Sequence, residues 1–476
     1  MNLHAQDVPN AIYFLPVPTN NPHSAQFIND AAQYEWGKSV RETNFGDQAR
    51  SDMSWQLNSY LSTFSNIVGV ELSDKNTPYT YDLLKYGMTY ADKSIKISQS
   101  SYLFQRPYVY FDEPSLITSS ENQYKDTSSY PSAQAVYGWF LGMLLSEVCP
   151  DKQDTILHRS YEMGTSSIIA GYNWQSDTEV GRELACALVS FIHSHQGLLY
   201  QIKMAQDEYQ RKKSRSRRSS SEPYLYAEDL PDPTKYLPDP PVEGTALYDY
   251  DVTLYNDNKS IRETSRGDMA VRDADASLQN IINTFSPDFG KTISASNTPE
   301  LYRLLDSMYP IASEAIDASK EHYQRLRPYV VYDEPTGYSA DEDDLRYSGA
   351  YPSGHAFFGW IIAMALSEVN PAQLTSLMHR AYEFGQSRVI LGYHWQSDVT
   401  AGRLVGGAVF ARLHGSKDFI DQMERAIQEF KGGSSIRALE TEAEAEAPIY
   451  TIGGVRLNGQ PSRHGIYIQR NKKIVR

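Results

Sequence analysis

The sequence predicts an all-α protein made of two tandem helical domains, followed by a short β-hairpin-like tail. Three observations lead to this prediction. The chain of 476 residues repeats itself at a constant offset, apolar residues recur at helical spacing in both copies, and strand-like alternation is found near the C-terminus. The length also suits two domains or more.

The repeat has an offset of 221 residues. The run Arg-Pro-Tyr-Val at 106–109 returns at 327–330, and residues 128–177 match residues 349–398 at 25 of 50 positions. Because other short runs keep the same offset, the register holds without a net insertion. The chain is therefore a tandem duplication of one domain.

The repeat and the composition of the segments between and after the copies divide the chain into five predicted segments. They are a first copy over 11–210, a basic and Pro-rich linker over 211–241, a second copy over 242–435, a Glu/Ala-rich linker over 436–448 and a tail over 449–476. The basic run at 211–221 invites a nucleic-acid or targeting hypothesis. A solvated, protease-sensitive linker is favoured, because Ser, Arg and Pro without apolar residues cannot form a core.

Helices are predicted throughout the second copy, with matching segments in the first. The first helix spans Phe357–Val369 and follows a Ser-Gly entry typical of a helix N-terminus. The others span Leu374–Leu391, about His394 to Leu413, and Phe419–Phe430. In the tail, Ile449–Ile452 and Gly465–Ile468 flank turn residues, and this pattern predicts a hairpin.

Composition argues against several classes of protein. A formal charge of −15 argues against a general nucleic-acid binder, and the apolar run at 357–366 is about half a membrane span, so we expect no integral membrane protein. The two cysteines, Cys149 and Cys186, cannot build a disulfide framework or a structural zinc site. Both lie in apolar helical stretches, so buried thiols are favoured, while a single disulfide between packed helices stays open.

Three polar clusters in the second copy carry the candidate chemistry. They are Lys320 with Arg327-Pro328, the run Tyr351-Pro352-Ser353-Gly354-His355, and Ser387-Arg388 followed by His394 and Asp398. One lysine and two arginines that converge would form a set of donors suited to phosphate oxygens. Ser353-Gly354 at a helix start would add backbone N–H groups, and the missing Cβ of Gly354 would let an oxyanion approach.

A catalytic pair is predicted within these clusters. His394 and Asp398 are four residues apart on a predicted helix, so the carboxylate can fix one ring nitrogen and leave the other free as a nucleophile or base. His355 is then available as a general acid. Each signal alone is weak, since a Ser-Gly-His run is usually a helix cap and a His/Asp pair is usually a surface hydrogen bond. Together they favour a phosphate-binding active site.

These positions resemble a known family. The three clusters match the signature of the type-2 phosphatidic-acid phosphatase (PAP2) and vanadium haloperoxidase superfamily. Three runs are more closely similar to the bacterial class A non-specific acid phosphatases: Tyr-Pro-Ser-Gly-His at 351–355, Tyr-Glu-Phe-Gly-Gln-Ser-Arg-Val-Ile at 382–390 and Gly-Tyr-His-Trp-Gln-Ser-Asp-Val at 392–399. The resemblance covers residues 245–432 well and residues 20–212 in degraded form.

The resemblance implies an all-α fold, a metal-free active site without a cofactor, and a two-step hydrolysis of small phosphate monoesters. His394 would form a phosphohistidine, Asp398 would orient His394, and His355 would protonate the leaving group and then activate water. The phosphoryl oxygens would be bound by Lys320, Arg327, Ser353, the Gly354 N–H and Arg388. Vanadate would inhibit as a mimic of the five-coordinate transition state.

The first copy lacks most of this set, although Arg106, Ser132 and Asp177 are retained. The substitutions remove charged or protonatable groups and one glycine, in the pairs Lys320/Gln99, Gly354/Ala133, His355/Gln134, Arg388/Ser167 and His394/Asn173. Asn has no nucleophilic nitrogen and Gln cannot carry a proton, so the sequence predicts a degenerate, inactive copy. We expect it to dock on the second copy as a structural or binding partner, with a further homo-oligomer left open.

Export is the expected location. Residues 3–6, Leu-His-Ala-Gln, resemble the remainder of a signal-peptide cleavage site, so the protein would be periplasmic or secreted. The tail, with its closing run at 471–476, resembles the C-terminal sorting segments of secreted Bacteroidetes proteins.

Two other functions compete with phosphate ester hydrolysis. A vanadate-dependent haloperoxidase would use the same anion site to hold vanadate. A secreted binding or surface protein would carry a vestigial phosphatase domain. A lipid-phosphate phosphatase is disfavoured, because the sequence lacks apolar runs of membrane-spanning length.

Overall fold

Helices form the body of the molecule, as the sequence predicts. The computed structural model describes residues 8–213, 225, 227–432, 449–451, 466–469 and 472–475. The first half contains α1 (Ala25–Ser39), α2 (Asn44–Asp52), α3 (Leu57–Val68), α4 (Pro78–Ser101), α5 (Pro107–Tyr110), α6 (Glu121–Tyr124), α7 (Ala133–Val148), α8 (Gln153–Ile169), α9 (Gln175–His193) and α10 (Gln196–Lys213).

The second half repeats this order after the short α11 (Pro233–Tyr236). It contains α12 (Ala246–Lys259), α13 (Ser265–Arg272), α14 (Leu278–Phe289), α15 (Pro299–Tyr323), α16 (Pro328–Tyr332), α17 (Glu342–Leu345), α18 (Gly354–Val369), α19 (Leu374–Leu391), α20 (Gln396–Leu413) and α21 (Lys417–Phe430). Each of the ten helices from α12 to α21 starts 221 residues after a counterpart in the first half, so the sequence repeat is also a structural repeat.

Helix α18 lies at the centre of the second repeat and points its N-terminus at the candidate site. Its residues are apolar on all sides, and almost all of them are buried. Ser353 caps the helix, because its hydroxyl accepts a hydrogen bond from Ala356 N. The predicted helix N-terminus at Ser353-Gly354 is therefore confirmed.

The next two helices position the third polar cluster. Helix α19 has the predicted limits and ends at Gly392, whose φ of +87° turns the chain sharply. The prediction that His394 and Asp398 lie on one helix is wrong, because α20 begins at Gln396. Trp395 is its N-cap, and the Asp398 carboxylate accepts from Trp395 N at 2.8 Å, which places His394 in the connection before the helix.

The predicted solvated linker over 211–241 is wrong for its second part. Residues 214–224 and 226, which hold most of the basic run, lie outside the described residues. Downstream of them, Tyr236 is fully buried, and Leu230 and Leu237 are also part of the core. The apolar residues among the prolines anchor this segment, and the Asp232 side chain caps α11.

The two repeats pack directly on each other. α20 contacts both α7 and α9, and the side chains of both repeats share one hydrophobic core. A buried ion pair crosses this interface, from Arg403 Nη1 to Glu183 Oε1 at 2.8 Å. The ring of His193 stacks on that of His414 with 3.6 Å between centroids, so equivalent residues of the two repeats meet at the interface.

Other sequence predictions concern the cysteines and the tail. Cys149 and Cys186 are buried free thiols, so the disulfide left open above does not form. Three short antiparallel strands, β1 (Ile449–Thr451), β2 (Ile466–Gln469) and β3 (Lys472–Val475), are ordered β1-β2-β3. The linker over 436–448 and the connection at 452–465 lie outside the described residues. Among the described helices, none is long and apolar enough to cross a bilayer.

Candidate active site

Three cationic side chains gather at the N-terminus of α18. Lys320 comes from the last turn of α15, Arg327 caps α16, and Arg388 lies in the last turn of α19. A Cβ placed on Gly354 would lie 3.4 Å from Lys320 Nζ, with no other heavy atom within 4 Å. The missing side chain of Gly354 therefore leaves open space directly in front of a cation.

Arg327 is held rigidly by backbone carbonyls. Its guanidinium donates to Leu345 O at 3.0 Å, Tyr393 O at 3.1 Å and Gly349 O at 3.3 Å. Nη1 also lies 3.1 Å from His394 Nε2. Because its partners come from the end of α17, the connection after α17 and the α19–α20 connection, Arg327 is fixed before any ligand arrives.

Arg388 is fully buried and incompletely paired. Its guanidinium lies 4.1 Å from the centre of the Tyr393 ring, and Nη1 donates weakly to Ala274 O at 3.4 Å. Nε and Nη2 have no hydrogen-bond partner in the described part of the chain. Burial and the neighbouring Arg327 together lower the pKa of Arg388 to about 10, so the group stays cationic at neutral pH. Such unpaired donors are suited to phosphate oxygens.

His394 contacts Asp398, but through a local geometry that differs from the predicted one. Since His394 precedes α20, the pair does not share a helix face. Asp398 instead occupies the third position of α20, and its Oδ2 lies 3.3 Å from His394 Nδ1. A proton on Nδ1 leaves the lone pair on Nε2, the nitrogen beside Arg327.

The surroundings keep His394 uncharged. Burial lowers its pKa well below the usual range, and the cations Arg327, Arg388 and Lys320 lower it further. The same effects act on Lys320, where burial and Arg327 lower the pKa to about 8. The site therefore combines a neutral imidazole with a cluster of cations, a combination suited to nucleophilic attack on an anionic group.

His355 is the second residue of α18. Its Nε2 donates to Ala274 O at 2.7 Å, the same carbonyl that contacts Arg388. This contact leaves Nδ1 of His355 without its proton in the neutral ring. Burial lowers the pKa of His355 well below the usual range, with Arg388 as the next cause.

The structure brings the eight predicted site residues to one place. Ser353 contributes the cap of α18, and its N–H donates to Asp398 O at 2.8 Å, which ties the helix to the His394–Asp398 pair. The N–H groups of Gly354 and His355 stand in the first turn of α18, where helix geometry offers no acceptor. They add hydrogen-bond donors and the positive end of the helix dipole to the cations.

Sequence reasoning missed Arg325 and Asp251, which support this site. Arg325 forms ion pairs with Asp398 at 2.6 Å and with Asp251 at 2.9 Å. A signal was present, because Arg325 precedes Arg327 by two residues and is matched by Phe104 in the first repeat. Its partners are 73 and 74 residues away in sequence, so spacing alone does not reveal the contacts.

The equivalent pocket of the first repeat is closed by its own hydrogen bonds. Asn173, in the place of His394, donates to Ser129 O at 2.6 Å. Gln134, in the place of His355, donates to Asp52 O and accepts from Tyr60 OH at 2.9 Å. Ser167, in the place of Arg388, pairs with Ser132 at 3.2 Å. These side chains are paired within the first repeat, whereas Arg388 of the second repeat keeps two buried donors without a partner among the described residues.

Comparison with known proteins agrees with this geometry. The PAP2 superfamily model matches residues 308–418, which include the cations, the α18 N-terminus and the His394–Asp398 pair. The non-specific acid phosphatase of Providencia stuartii is 41% identical over 208 residues, which cover 44% of this chain and 84% of that protein. The chain therefore belongs to the PAP2 superfamily, in the family of bacterial non-specific acid phosphatases.

Other relatives extend this likeness. The non-specific acid phosphatase of Salmonella typhimurium is 38% identical over 220 residues, covering 46% of this chain and 88% of its own. The acid phosphatase of Zymomonas mobilis is 32% identical over 200 residues, covering 42% of this chain and 76% of its own.

Proposed function

We propose that this chain is a broad-specificity acid phosphatase whose second repeat hydrolyses phosphate monoesters through a phosphohistidine. The observation that carries the proposal is the position of His394. Nδ1 faces the Asp398 carboxylate at 3.3 Å, and Nε2 faces the cation cluster at 3.1 Å from Arg327. A neutral nucleophile beside an anion-binding cluster is what attack on phosphorus requires.

In the first step, the His394 Nε2 lone pair attacks phosphorus and the bond from phosphorus to the ester oxygen breaks. His355 gives its proton to the departing alkoxide. Arg327, Arg388, Lys320 and the α18 N–H groups stabilise the charge on the three equatorial oxygens. In the second step, His355 takes a proton from water, the water oxygen attacks phosphorus, and the P–N bond breaks to release phosphate.

The electrostatics of the site support operation in acid. Because the pKa of His394 is held low, this imidazole stays neutral and nucleophilic at acidic pH. Burial and Arg388 also depress the pKa of His355 in the empty site. A bound phosphate dianion offsets Arg388, so substrate binding raises the pKa of His355 and lets it carry the proton that it donates.

The first test compares two equivalent positions in one chain. We expect His394→Ala to abolish hydrolysis of p-nitrophenyl phosphate and Asn173→Ala, its counterpart in the first repeat, to leave it unchanged. Near-ultraviolet circular dichroism checks that both variants fold. Activity retained in His394→Ala would contradict the mechanism.

Two further measurements separate this function from its competitors. We propose that vanadate inhibits competitively, because it can accept the His394 nitrogen and imitate the five-coordinate transition state. We also propose that activity survives EDTA, since three cations repel a divalent metal. Halide oxidation that depends on added vanadate and exceeds ester hydrolysis would favour the haloperoxidase. Failure to turn over any phosphate ester would favour a binding protein.

We further propose that the first repeat is an inactive structural partner. Its support is the interface, where Glu183 neutralises the buried Arg403. Glu183→Gln leaves that arginine buried without a counter-ion, which typically costs about 3–5 kcal/mol. We expect a lower melting temperature with unchanged kcat/KM in the cold. Glu162→Gln, which touches only partly exposed partners, is the control with little expected change.

Export to the periplasm or the medium is also part of the proposal. Its support is the resemblance of the tail to the sorting segments of secreted proteins. Fractionation of cells that express the natural gene tests it. Activity confined to the cytosolic fraction would contradict it.

A further inference from the structure

Arg325 joins two buried carboxylates behind the catalytic histidine. The residue lies between α15 and α16, and its side chain is largely buried. Nη1 is 2.6 Å from Asp398 Oδ1 and 2.7 Å from Ser397 Oγ, and Nη2 is 2.9 Å from Asp251 Oδ2. One guanidinium therefore spans two acidic groups from two different helices, α12 and α20.

The two oxygens of Asp398 have separate tasks. Oδ2 accepts from Trp395 N and faces His394 Nδ1, whereas Oδ1 contacts Arg325. Asp251 in turn accepts from Ser397 N at 2.8 Å, so the first turn of α20 is held from outside as well. A planar guanidinium can serve both carboxylates at once, which a point-like ammonium cannot.

Arg325 also favours the charged form of Asp398 and of Asp251. Burial raises the pKa of Asp398 and that of Asp251, and Arg325 is the largest influence that opposes the rise in both. Asp398 raises the pKa of Asp251 further, as like charges do. Without Arg325, two carboxylates would share a buried site with no cation between them, and one of them would take up a proton.

The first repeat shows this arrangement without the arginine. Phe104 stands in the place of Arg325, while Asp30 and Asp177 keep the places of Asp251 and Asp398. In the described part of the chain, neither carboxylate forms an ion pair, although Asp30 still accepts from Ser176 N at 2.8 Å. Burial raises the pKa of Asp30 to about 6 and that of Asp177 to about 7.

We infer that Arg325 is a positioning residue for catalysis, which keeps Asp398 anionic and aimed at His394 by neutralising the Asp251–Asp398 pair. The inference rests on the proposed function of His394. When Nε2 bonds to phosphorus, positive charge develops on the ring, and an anionic Asp398 stabilises that charge through Nδ1–H. A protonated Asp398 cannot do so.

Several charged and titratable groups face Asp398 and influence its titration in a pH profile. They are Arg325 from the α15–α16 connection, Arg327 at the start of α16, Lys320 from α15, Asp251 from α12, Tyr351 before α18, and His394. Titration of the substrate is the same for every variant. A shift between variants in the acid limb therefore reports the enzyme and not the ester.

The experiment measures kcat, KM and the pH profile of the full chain with p-nitrophenyl phosphate. For Arg325→Gln we expect kcat to fall about 10²-fold, the size of effect typical of a misplaced catalytic group, with KM nearly unchanged. Its acid limb should move to higher pH, because the pKa of Asp398 rises when the cation is lost. For Arg325→Lys, kcat and the position of the acid limb should lie between those of the wild type and Arg325→Gln, since a lysine can pair with only one carboxylate.

Two further variants exclude a merely structural role. Adding Asp251→Asn to Arg325→Gln removes the competing carboxylate, so part of kcat should return and the acid limb should move back. Arg412→Gln is the matched control, because Arg412 is a buried arginine at the far end of α20 that donates to Asp229 O. Arg412→Gln should lower the stability of the protein and leave kcat, KM and the pH profile unchanged.

The possible results are distinguishable. An Arg325→Gln variant that melts lower but keeps the wild-type kcat and pH profile overturns the inference. If this variant does not fold, Asp251→Asn alone decides, because Arg325 then serves only Asp398 and the acid limb should move to lower pH. An unmoved limb overturns the inference. Absence of a phosphohistidine in the wild-type chain would instead overturn the proposed function, whatever Arg325 does.

Discussion

The two repeats share a fold but use their central pockets in opposite ways. In the second repeat, Arg388 keeps two buried donors unpaired in the described part of the chain, and His394 Nε2 faces the cation cluster. In the first, Ser167 and Asn173 occupy these positions and bond to their own neighbours. The apolar helices were retained while the charged groups were lost. The fold therefore depends on the apolar spacing and the helix caps, and the chemistry depends on a few polar positions.

The comparison extends to the layer behind each pocket. Arg325 neutralises two buried carboxylates in the second repeat, and Phe104 leaves the equivalent pair without a cation in the first. In the first repeat, which we propose to be inactive, the supporting residues therefore differ as well as the residues proposed to touch substrate. Restoring a histidine alone would not restore the site.

The largest effect is expected from His394→Asn, which gives the second repeat the residue of the first. Loss of the nucleophile should lower kcat at least about 10⁴-fold, with the melting temperature almost unchanged. The reciprocal change, Asn173→His, should add no activity, because Gln134 and Phe104 remain. Activity gained by Asn173→His would contradict the account of the first repeat. Steady-state assays on p-nitrophenyl phosphate measure both.

His355→Gln, which mimics Gln134, should have an effect that depends on the leaving group. General acid catalysis is typically worth about 10²–10⁴-fold, and it matters least when the leaving oxygen is already acidic. We expect a large loss of kcat/KM for an alkyl phosphate and a small loss for p-nitrophenyl phosphate. Equal losses for the two esters would exclude His355 as the general acid.

Arg388→Ser, which mimics Ser167, should lower kcat/KM about 10²–10³-fold, the usual size for removal of one charge-stabilising donor. Affinity for inorganic phosphate and for vanadate should fall as well, which inhibition constants measure. Ser167→Ala is the control in the first repeat and should change neither quantity. Unchanged inhibition by vanadate in Arg388→Ser would show that this guanidinium does not bind the anion.

The smallest predicted effect is a pH limb from Lys320, whose counterpart Gln99 has no charge. Its pKa is lowered to about 8, so the cation is present below pH 8 and is lost as the pH rises through 8. We expect kcat/KM, which reports the free enzyme, to fall about tenfold above that pH. Lys320→Arg should remove this limb. A limb that persists in Lys320→Arg belongs to another group.

Much of the fold could be predicted from the sequence, because apolar spacing and caps are local signals. Leu374–Leu391 was predicted to the residue, and Ser353 caps α18 as expected. His394 was wrongly placed on α20, because His394 and Asp398 have the spacing of helical neighbours. In the structure, Asp398 lies in the first turn of α20 and accepts from Trp395 N, so His394 precedes the helix. Burial of Tyr236 was missed because the prolines around it in the sequence indicate a linker. Its packing depends on helices that are distant in sequence.

The site could be predicted in its residues but not in its support. The order of Lys320, Arg327, His355 and His394 identified the pocket through repetition and resemblance. Arg325 was missed because its function comes from contacts with residues more than 70 positions away. Tertiary ion pairs of this kind leave no spacing signal in a single sequence.

Trapping of the phosphorylated enzyme tests the central claim most directly. The full chain is mixed with a ³²P-labelled phosphate monoester, quenched within one turnover, and digested for mapping of the acid-labile, base-stable label. The account predicts up to one phosphoryl group per chain, on the peptide that contains His394, and none on peptides of the first repeat. Label on a peptide of the first repeat, or on a side chain other than His394, would contradict it.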